Sequence, residues 1–355
     1  MDVGLQTMWA SYGWEGLTDE QVYADELRLA LLAEPLGFDT VWAVEHHFFD
    51  YAFCPDNIAL LSYLAARTTT LTLGTAAVIL PWNDPMRVAE RISMLDVLSG
   101  GRVKFGMGRG LSRREFAPFQ GIAMEEARGR FDQASLIIVD ALKTGYIEAD
   151  TEYFQIPRTP IRPFSSKPWD GRVYAVANSP DSVTACANAH AQMLLFGEKH
   201  WEARLPALES YRQQYQDRWG EPAPGPLTVD LVYCDADPAK AEALAEKALG
   251  NYLQSVLEHY EILSDHFADT PGYKEYAQGA EYLRSIGMDA YLKDFLAANA
   301  HGTPDQLLEH FKTRLDIVGP YELAVSFRFG GLSPEEGESA MRLFAAEVLP
   351  ELKKW

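Results

Sequence analysis

LTLGTAAVILPWNDPMRVAERISMLDVLSGGRVKFGMGRG, residues 71–110, holds one full turn of a repeating pattern. Leu71–Leu80 is apolar without alternation, the mark of a strand buried on both faces. Pro81 closes it, and Pro85 stands where the first turn of a helix tolerates a missing N–H. Met86–Gly100 then carries apolar residues at helical spacing, and Gly100-Gly101 stops the helix. Arg102–Gly108 is again a non-alternating strand. Strand, helix and strand, with no polar strand face, is the unit of a parallel sheet.

The unit repeats outward in both directions. Upstream, Val3–Met8 reads as a first strand, Thr18 and Asp19 open a helix that Gly37 ends, Phe38–Val44 is a second strand and Asn57–Arg67 a second helix. Downstream, Gly129–Gly145 is a helix, followed by a Pro-, Ser- and Thr-rich excursion over Tyr146–Pro168. Strands five to eight are Arg172–Ala177, Ala191–Phe196, Leu227–Asp235 and Tyr321–Phe327, with Ser333–Leu352 as the closing helix. Eight such units predict an α/β fold, a (β/α)8 TIM barrel, with the excursion after helix 4. The stretch from about 237 to 303 is too long for one helix and two loops, so a helical insertion is expected after strand 7. One domain over 1–355 is the expectation. An open doubly wound sheet is the alternative, but its G-x-G-x-x-G after the first strand is absent.

Composition narrows the function. Of 355 residues, 47% are hydrophobic, enough for a large core. Asp and Glu number 51 against 31 Lys and Arg, a net charge of -20 that repels phosphate backbones, so no nucleic acid is expected as partner. No apolar run approaches the ~20 residues of a membrane span, and the amino terminus lacks the basic and apolar regions of a signal peptide; a cytoplasmic protein is the default. Cys54, Cys186 and Cys234 form no CxxC pair, which argues against a disulfide framework or thiolate metal site.

In a barrel, chemistry belongs at the carboxyl ends of the strands. The second strand ends in Glu45-His46-His47, where imidazole titrates near neutrality and a carboxylate can orient it. Acid–base catalysis, a structural hydrogen-bonded pair and a metal site are its three readings; the other six histidines offer no HxxxH or HxH, so no metal is expected. Around Ala76-Ala77, small residues either let a flat ring approach the backbone or pack the barrel. Arg109, between Gly108 and Gly110, is an anion fork or a surface ion pair. In Asn178-Ser179-Pro180-Asp181-Ser182 the hydroxyls either cap a helix or join an anion site at its start. Trp9, Trp42, Phe48, Phe53 and Trp82 are wall or core.

Taken together, DTVWAVEHHF (39–48), LTLGTAAVILP (71–81), residues 84–111, GYIEAD (145–150) and VYAVANS (173–179) resemble the bacterial luciferase-like flavin-dependent monooxygenases, the luciferase alpha chain in particular. The resemblance implies a barrel that dimerises through helices on one side, as a homodimer or heterodimer. It also implies reduced FMN supplied by a separate flavin reductase, with O2 and a small apolar organic substrate such as an aldehyde or ketone. By position, His46 is the family's essential imidazole, supported by His47 and Glu45. Ala76-Ala77 falls where the family has a non-proline cis peptide against the flavin ring. Met107, Arg109, Glu115, Asn178, Ser179 and Ser182 fall at flavin or phosphate positions. The chain departs from luciferase at Gly108, a reactive cysteine there, at Ser112, a tyrosine there, and at Asn178, an acidic residue there, so light emission is not expected. A deazaflavin-dependent oxidoreductase of the same fold and a non-catalytic flavin-binding partner chain are the alternatives.

Overall fold

Strands without a polar face must be covered on both sides, and a closed parallel barrel ringed by helices does this. The structure, a computed structural model, describes residues 1–119, 121–197 and 199–355. Eight strands pair in parallel: β1 (Val3–Thr7), β2 (Thr40–Ala43), β3 (Thr72–Thr75), β4 (Val103–Gly108), β5 (Val173–Val176), β6 (Gln192–Phe196), β7 (Leu227–Leu231) and β8 (Glu322–Ser326). Leu323 of β8 stands opposite Val3, and Leu73 of β3 opposite Val103, so the sheet closes on itself. The TIM barrel read from the sequence is therefore the observed fold.

The helices begin and end where local chemistry dictates. α1 (Asp19–Leu36) starts at a Thr18–Gln21 capping box and ends at Gly37, left-handed at φ 88°. α2 (Asn57–Ala65) is capped by Asp56, and α3 (Pro85–Ser99) by Asp84, with Gly100 at φ 73° closing it. α4 (Ala127–Thr144), α5 (Pro180–Asn188), α6 (Leu205–Trp219) and α7 (Pro238–His259) follow their strands. The excursion is an antiparallel hairpin of Tyr146–Asp150 and Gln155–Pro160. After α7 come a short turn of helix, α8 (Lys274–Ile286) and α9 (Met288–Ala298), then α10 (Pro304–Val318) and α11 (Pro334–Leu343). No helix among the described residues is long and apolar enough to cross a membrane.

Three strand and helix boundaries differ from the sequence reading. Leu71–Leu80 is not one strand: a cis peptide at Ala76-Ala77 separates β3 from Val78–Ile79, which pairs with β4 alone. The seventh strand stops at Leu231, and Tyr233–Cys234 turns away to pair with His301–Gly302 beyond the inserted helices. The closing helix breaks at Leu343 into a π-helical turn before Leu349–Leu352.

Inside the barrel, Trp42 packs with Tyr174, Leu194, Leu227, Val229 and Ala324. Its indole lies against Gly4 and Gly74, where a Cβ would fall inside the ring's van der Waals surface. Gly74→Ala is therefore expected to destabilise the protein by about 1–3 kcal/mol through overpacking, measured as a lower urea midpoint. Below Trp42, Lys104 Nζ bridges Asp2 at 2.8 Å and Glu322 at 2.7 Å, and the Tyr174 hydroxyl donates to Glu322 at 3.1 Å. These groups sit at the strand starts and close that end of the barrel. The opposite mouth, where the strands end, stays open.

Candidate active site

At the strand-end mouth lies a cavity of about 1330 Å³, counted out to its opening. Its lining includes Glu45 and His46 after β2, Ala76 and Ala77 after β3, Gly108 and Arg109 at the end of β4, and Glu115 beyond. Asn178, Ser179 and Ser182 come from the turn after β5. His46 and Arg109, 63 positions apart by their residue numbers, thus open into one hollow. The converging strand ends achieve this, because successive parallel strands deliver their last residues to the same rim.

Two of the predicted residues point elsewhere. Met107 is fully buried in the apolar layer that holds Ile92 of α3 and Ile138 of α4, because alternation along β4 turns it outward while Gly108 faces the cavity. The His47 ring is also off the lining: its Nε2 meets Glu45 Oε1 at 3.3 Å, and it packs edge-on against Trp82 and Phe119. Of the five candidate wall aromatics only Trp82 lines the cavity. Trp42 fills the barrel, Trp9 packs behind the β1 end with Tyr12 and Tyr51, and Phe48 is exposed.

Glu45 does not serve His46 either. Its carboxylate accepts from the Ile79 amide at 3.0 Å, Trp82 Nε1 at 2.6 Å and Asn83 Nδ2 at 2.9 Å, and so ties down the chain after the cis peptide. From the other side, Asn57 Nδ2 donates to the carbonyls of Ala43 and Ala77, both at 3.2 Å. The strand-end backbone at Ala76-Ala77 is thereby held by side chains of two elements. Gly108 faces it closely: a Cβ there would come 3.2 Å from that of Ala77 and 2.8 Å from Ile79 Cδ1. That crowding explains why no side chain stands at this position.

The carboxylate that does meet His46 is Glu115. Its Oε1 lies 3.0 Å from His46 Nδ1 and accepts the His47 amide at 2.7 Å. Burial works to raise the Glu115 pKa, but the His46 and His259 imidazoles beside it outweigh burial and hold it well below the ordinary carboxylate range. A depressed folded-state pKa stabilises the fold above the unfolded value of about 4.3, and that contribution fades as pH falls. The urea midpoint of the native protein is accordingly expected to drop more steeply between roughly pH 5 and pH 3 than that of Glu115→Gln. Parallel slopes would contradict a charged Glu115.

At the other end of the cavity the groups suit an anion. Ser179 is the N-cap of α5: its Oγ accepts from the Ser182 amide at 3.3 Å, and Ser182 Oγ accepts from the Ser179 amide at 2.7 Å. The capping reading of this turn is thus correct, and the same geometry leaves the helix start facing the cavity. Asp181 is exposed and off the lining. Arg109 donates to the Gly272 carbonyl at 2.7 Å, and its guanidinium stacks 3.9 Å from the Tyr273 ring centroid.

Arg128, which sequence reasoning missed, also reaches this end. Its Nη1 pairs with Asp132 at 3.1 Å, while its buried Nε and Nη2 make no hydrogen bond among the described residues. A signal for it was present. The first turn of α4 holds no acidic residue but does hold Arg128, against the preference of a helix N-terminus for negative charge. Tyr51, Tyr252, Tyr260, Tyr276 and Phe295 complete an aromatic wall, and the last three come from the residues after α7. The histidine His259 joins Glu115 from the end of α7, its Nε2 3.5 Å from Oε2; His46, Glu115 and His259 are close enough to hold an ion, a cluster that no sequence spacing revealed.

Comparison with known proteins gives the family and the fold. The alkanal monooxygenase alpha chain of Photorhabdus luminescens is 26% identical over 345 residues, covering 92% of this chain and 91% of its own. Among solved structures, the monooxygenase RslO1 from Streptomyces bottropensis superposes with a TM-score of 0.82 at 24% identity, covering 99% of this chain and all of that one. The oxygenating constituent of 3,6-diketocamphane monooxygenase from Pseudomonas putida, solved with FMN, gives 0.72 at 17% identity, covering 99% of this chain and 98% of that one. The family model for luciferase-like monooxygenases matches residues 1–319. The barrel with this strand-end cavity belongs to the luciferase-like monooxygenase family.

Proposed function

We propose that the chain is the oxygenating component of a two-component cytoplasmic enzyme, a flavin-dependent monooxygenase that takes reduced FMN from a separate reductase and uses O2 to oxidise a small apolar carbonyl compound, an aldehyde or ketone. The observation that carries this reading is the meeting of an imidazole, an anion-binding end and a small-residue strand end in one cavity. The residues fit the cofactor: Arg128 has two buried donors without partners among the described residues, and Gly108, with no side chain, leaves bare backbone at the cavity lining beside Ala77. Arg109, Arg128, Asn178, Ser179 and Ser182 would hold the phosphate, and Ala76, Ala77 and Gly108 would bring the ring against backbone.

Reduced FMN, when bound, supplies the electrons that activate O2. Trp82, Leu111 and the aromatic wall exclude water from that chemistry, and the apolar lining selects an apolar substrate. His46 handles the proton: with Nδ1 turned to Glu115, Nε2 is the nitrogen left to take a proton from the substrate or return it. The test is oxygen-isotope incorporation. Protein with FMN, a flavin reductase and NADH is expected to place one atom of ¹⁸O2 into products of medium-chain alkanals or cyclic ketones, read by mass spectrometry. Unlabelled product, or turnover only with a reduced deazaflavin, contradicts the reading.

The outer surface supports association with a second barrel. Tyr63 of α2 and Met94, Val97 and Leu98 of α3 are exposed, Leu98 at 64%, on neighbouring helices. An apolar patch of this kind costs solubility unless covered. The purified protein is expected to sediment as a dimer and Leu98→Glu as a monomer; a monomeric native protein contradicts the assignment of this face.

A further inference from the structure

His259 ends α7 and is 3% exposed, and nothing in the proposed function uses it. Its Nε2 stands 3.5 Å from Glu115 Oε2, while the opposite oxygen of the same carboxylate takes His46 Nδ1 and the His47 amide. Its ring stacks on Tyr51, centroids 4.4 Å apart at 11°, and meets the His46 ring edge-on at 5.7 Å. Neither ring nitrogen has a hydrogen bond among the described residues. A buried polar ring in that condition is costly unless it answers a charge. The charge it faces is Glu115; Tyr260 packs against it, and Arg114 lies behind it over Phe49.

We infer that His259 is a positioning residue: with its Nε2 3.5 Å from Glu115 Oε2, short of a formed hydrogen bond, an Nε2–H dipole there biases the carboxylate so that the other oxygen holds His46 as the Nδ1–H tautomer, with Nε2 free towards the cavity. An imidazole that gives its Nδ1–H to a carboxylate leaves Nε2 as the nitrogen that can exchange a proton with the substrate. Burial lowers the His259 pKa, which keeps that ring neutral and leaves it a single N–H to commit. A charged His259 would instead compete with His46 for the carboxylate. Because α7 leads directly into the inserted helices, this contact also ties the insertion to the orientation of His46.

The catalytic consequence rests on the flavin reading; the tautomers do not. The experiment is therefore ¹H–¹⁵N correlation of ¹⁵N-histidine-labelled protein without flavin or substrate, at neutral pH. His46 is expected as Nδ1–H and His259 as Nε2–H; the opposite tautomer at either ring overturns the inference. His259→Phe keeps the stack on Tyr51 and removes the donor, so His46 is expected to become a tautomer mixture, and His259→Gln, which restores a donor, to bring Nδ1–H back. In turnover, His259→Phe is expected to move the acid limb of the kcat profile by about one pH unit with KM unchanged. A folded His259→Phe with native His46 spectra overturns the inference, and if that variant fails to fold, the native tautomers still decide. Failure of ¹⁸O incorporation alongside the expected tautomers would count against the flavin reading alone.

Discussion

Replacing His46 by alanine is expected to lower product formation by about 10²–10⁴-fold while leaving the binding of reduced FMN almost unchanged. The separation follows from where the imidazole sits. His46 lines the cavity on the Glu115 side, away from the Arg109, Arg128 and Ser179 group that would grip the phosphate. Losing it removes a proton carrier without removing a binding contact, a fall in kcat rather than in affinity. Oxygen uptake should persist, with hydrogen peroxide replacing oxidised product as reduced flavin is spent without transfer. His46→Gln should recover little, because an amide can hydrogen-bond Glu115 but cannot carry the proton. Equal product yields from native and His46→Ala protein would remove His46 from the chemistry.

The second large effect is expected at Arg128, on binding far more than on folding. In the free protein its Nε and Nη2 are buried without partners among the described residues. A charge-assisted hydrogen bond to a charged group contributes about 1.5–3 kcal/mol, so Arg128→Met should weaken FMN binding by roughly 10–100-fold. The same change removes two unpartnered donors but also the ion pair with Asp132, so the stability of the flavin-free protein, read from its urea midpoint, should move by less than about 1 kcal/mol. Arg109→Met should cost less affinity, because Arg109 already has the Gly272 carbonyl and the Tyr273 ring to leave. Riboflavin, which lacks the phosphate, is the control: its affinity should be the same in native and Arg128→Met protein. A parallel loss for riboflavin would place Arg128 away from the phosphate.

What the sequence revealed, and what it hid, divides along the range of the interactions. The barrel was legible because each strand and each cap is local: an unbroken apolar run, a Thr18 or Asp84 at a helix start, a Gly37 or Gly100 at its end. The site residues that follow directly on strands were legible for the same reason, and His46, Ala76, Ala77, Arg109 and Ser179 all reach the cavity. Face was harder to read than position. Met107 sits between Gly106 and Gly108 in one apolar strand, and only the pleat decides which of them looks inward. Partners were hardest. Glu45 adjoins His46 in sequence yet spends its carboxylate on Ile79, Trp82 and Asn83, whereas the carboxylate at His46 arrives from 69 residues away and its second imidazole from the end of α7. Neither contact has a spacing that a linear reading detects.

The most direct test is a crystal structure of the protein soaked anaerobically with reduced FMN. The phosphate is expected between Arg109, Arg128 and the Ser179–Ser182 turn, the ring against Ala76-Ala77, and His46 Nε2 facing the ring's open side. FMN bound outside the strand-end cavity, or within it with the phosphate turned towards His46, would contradict the account.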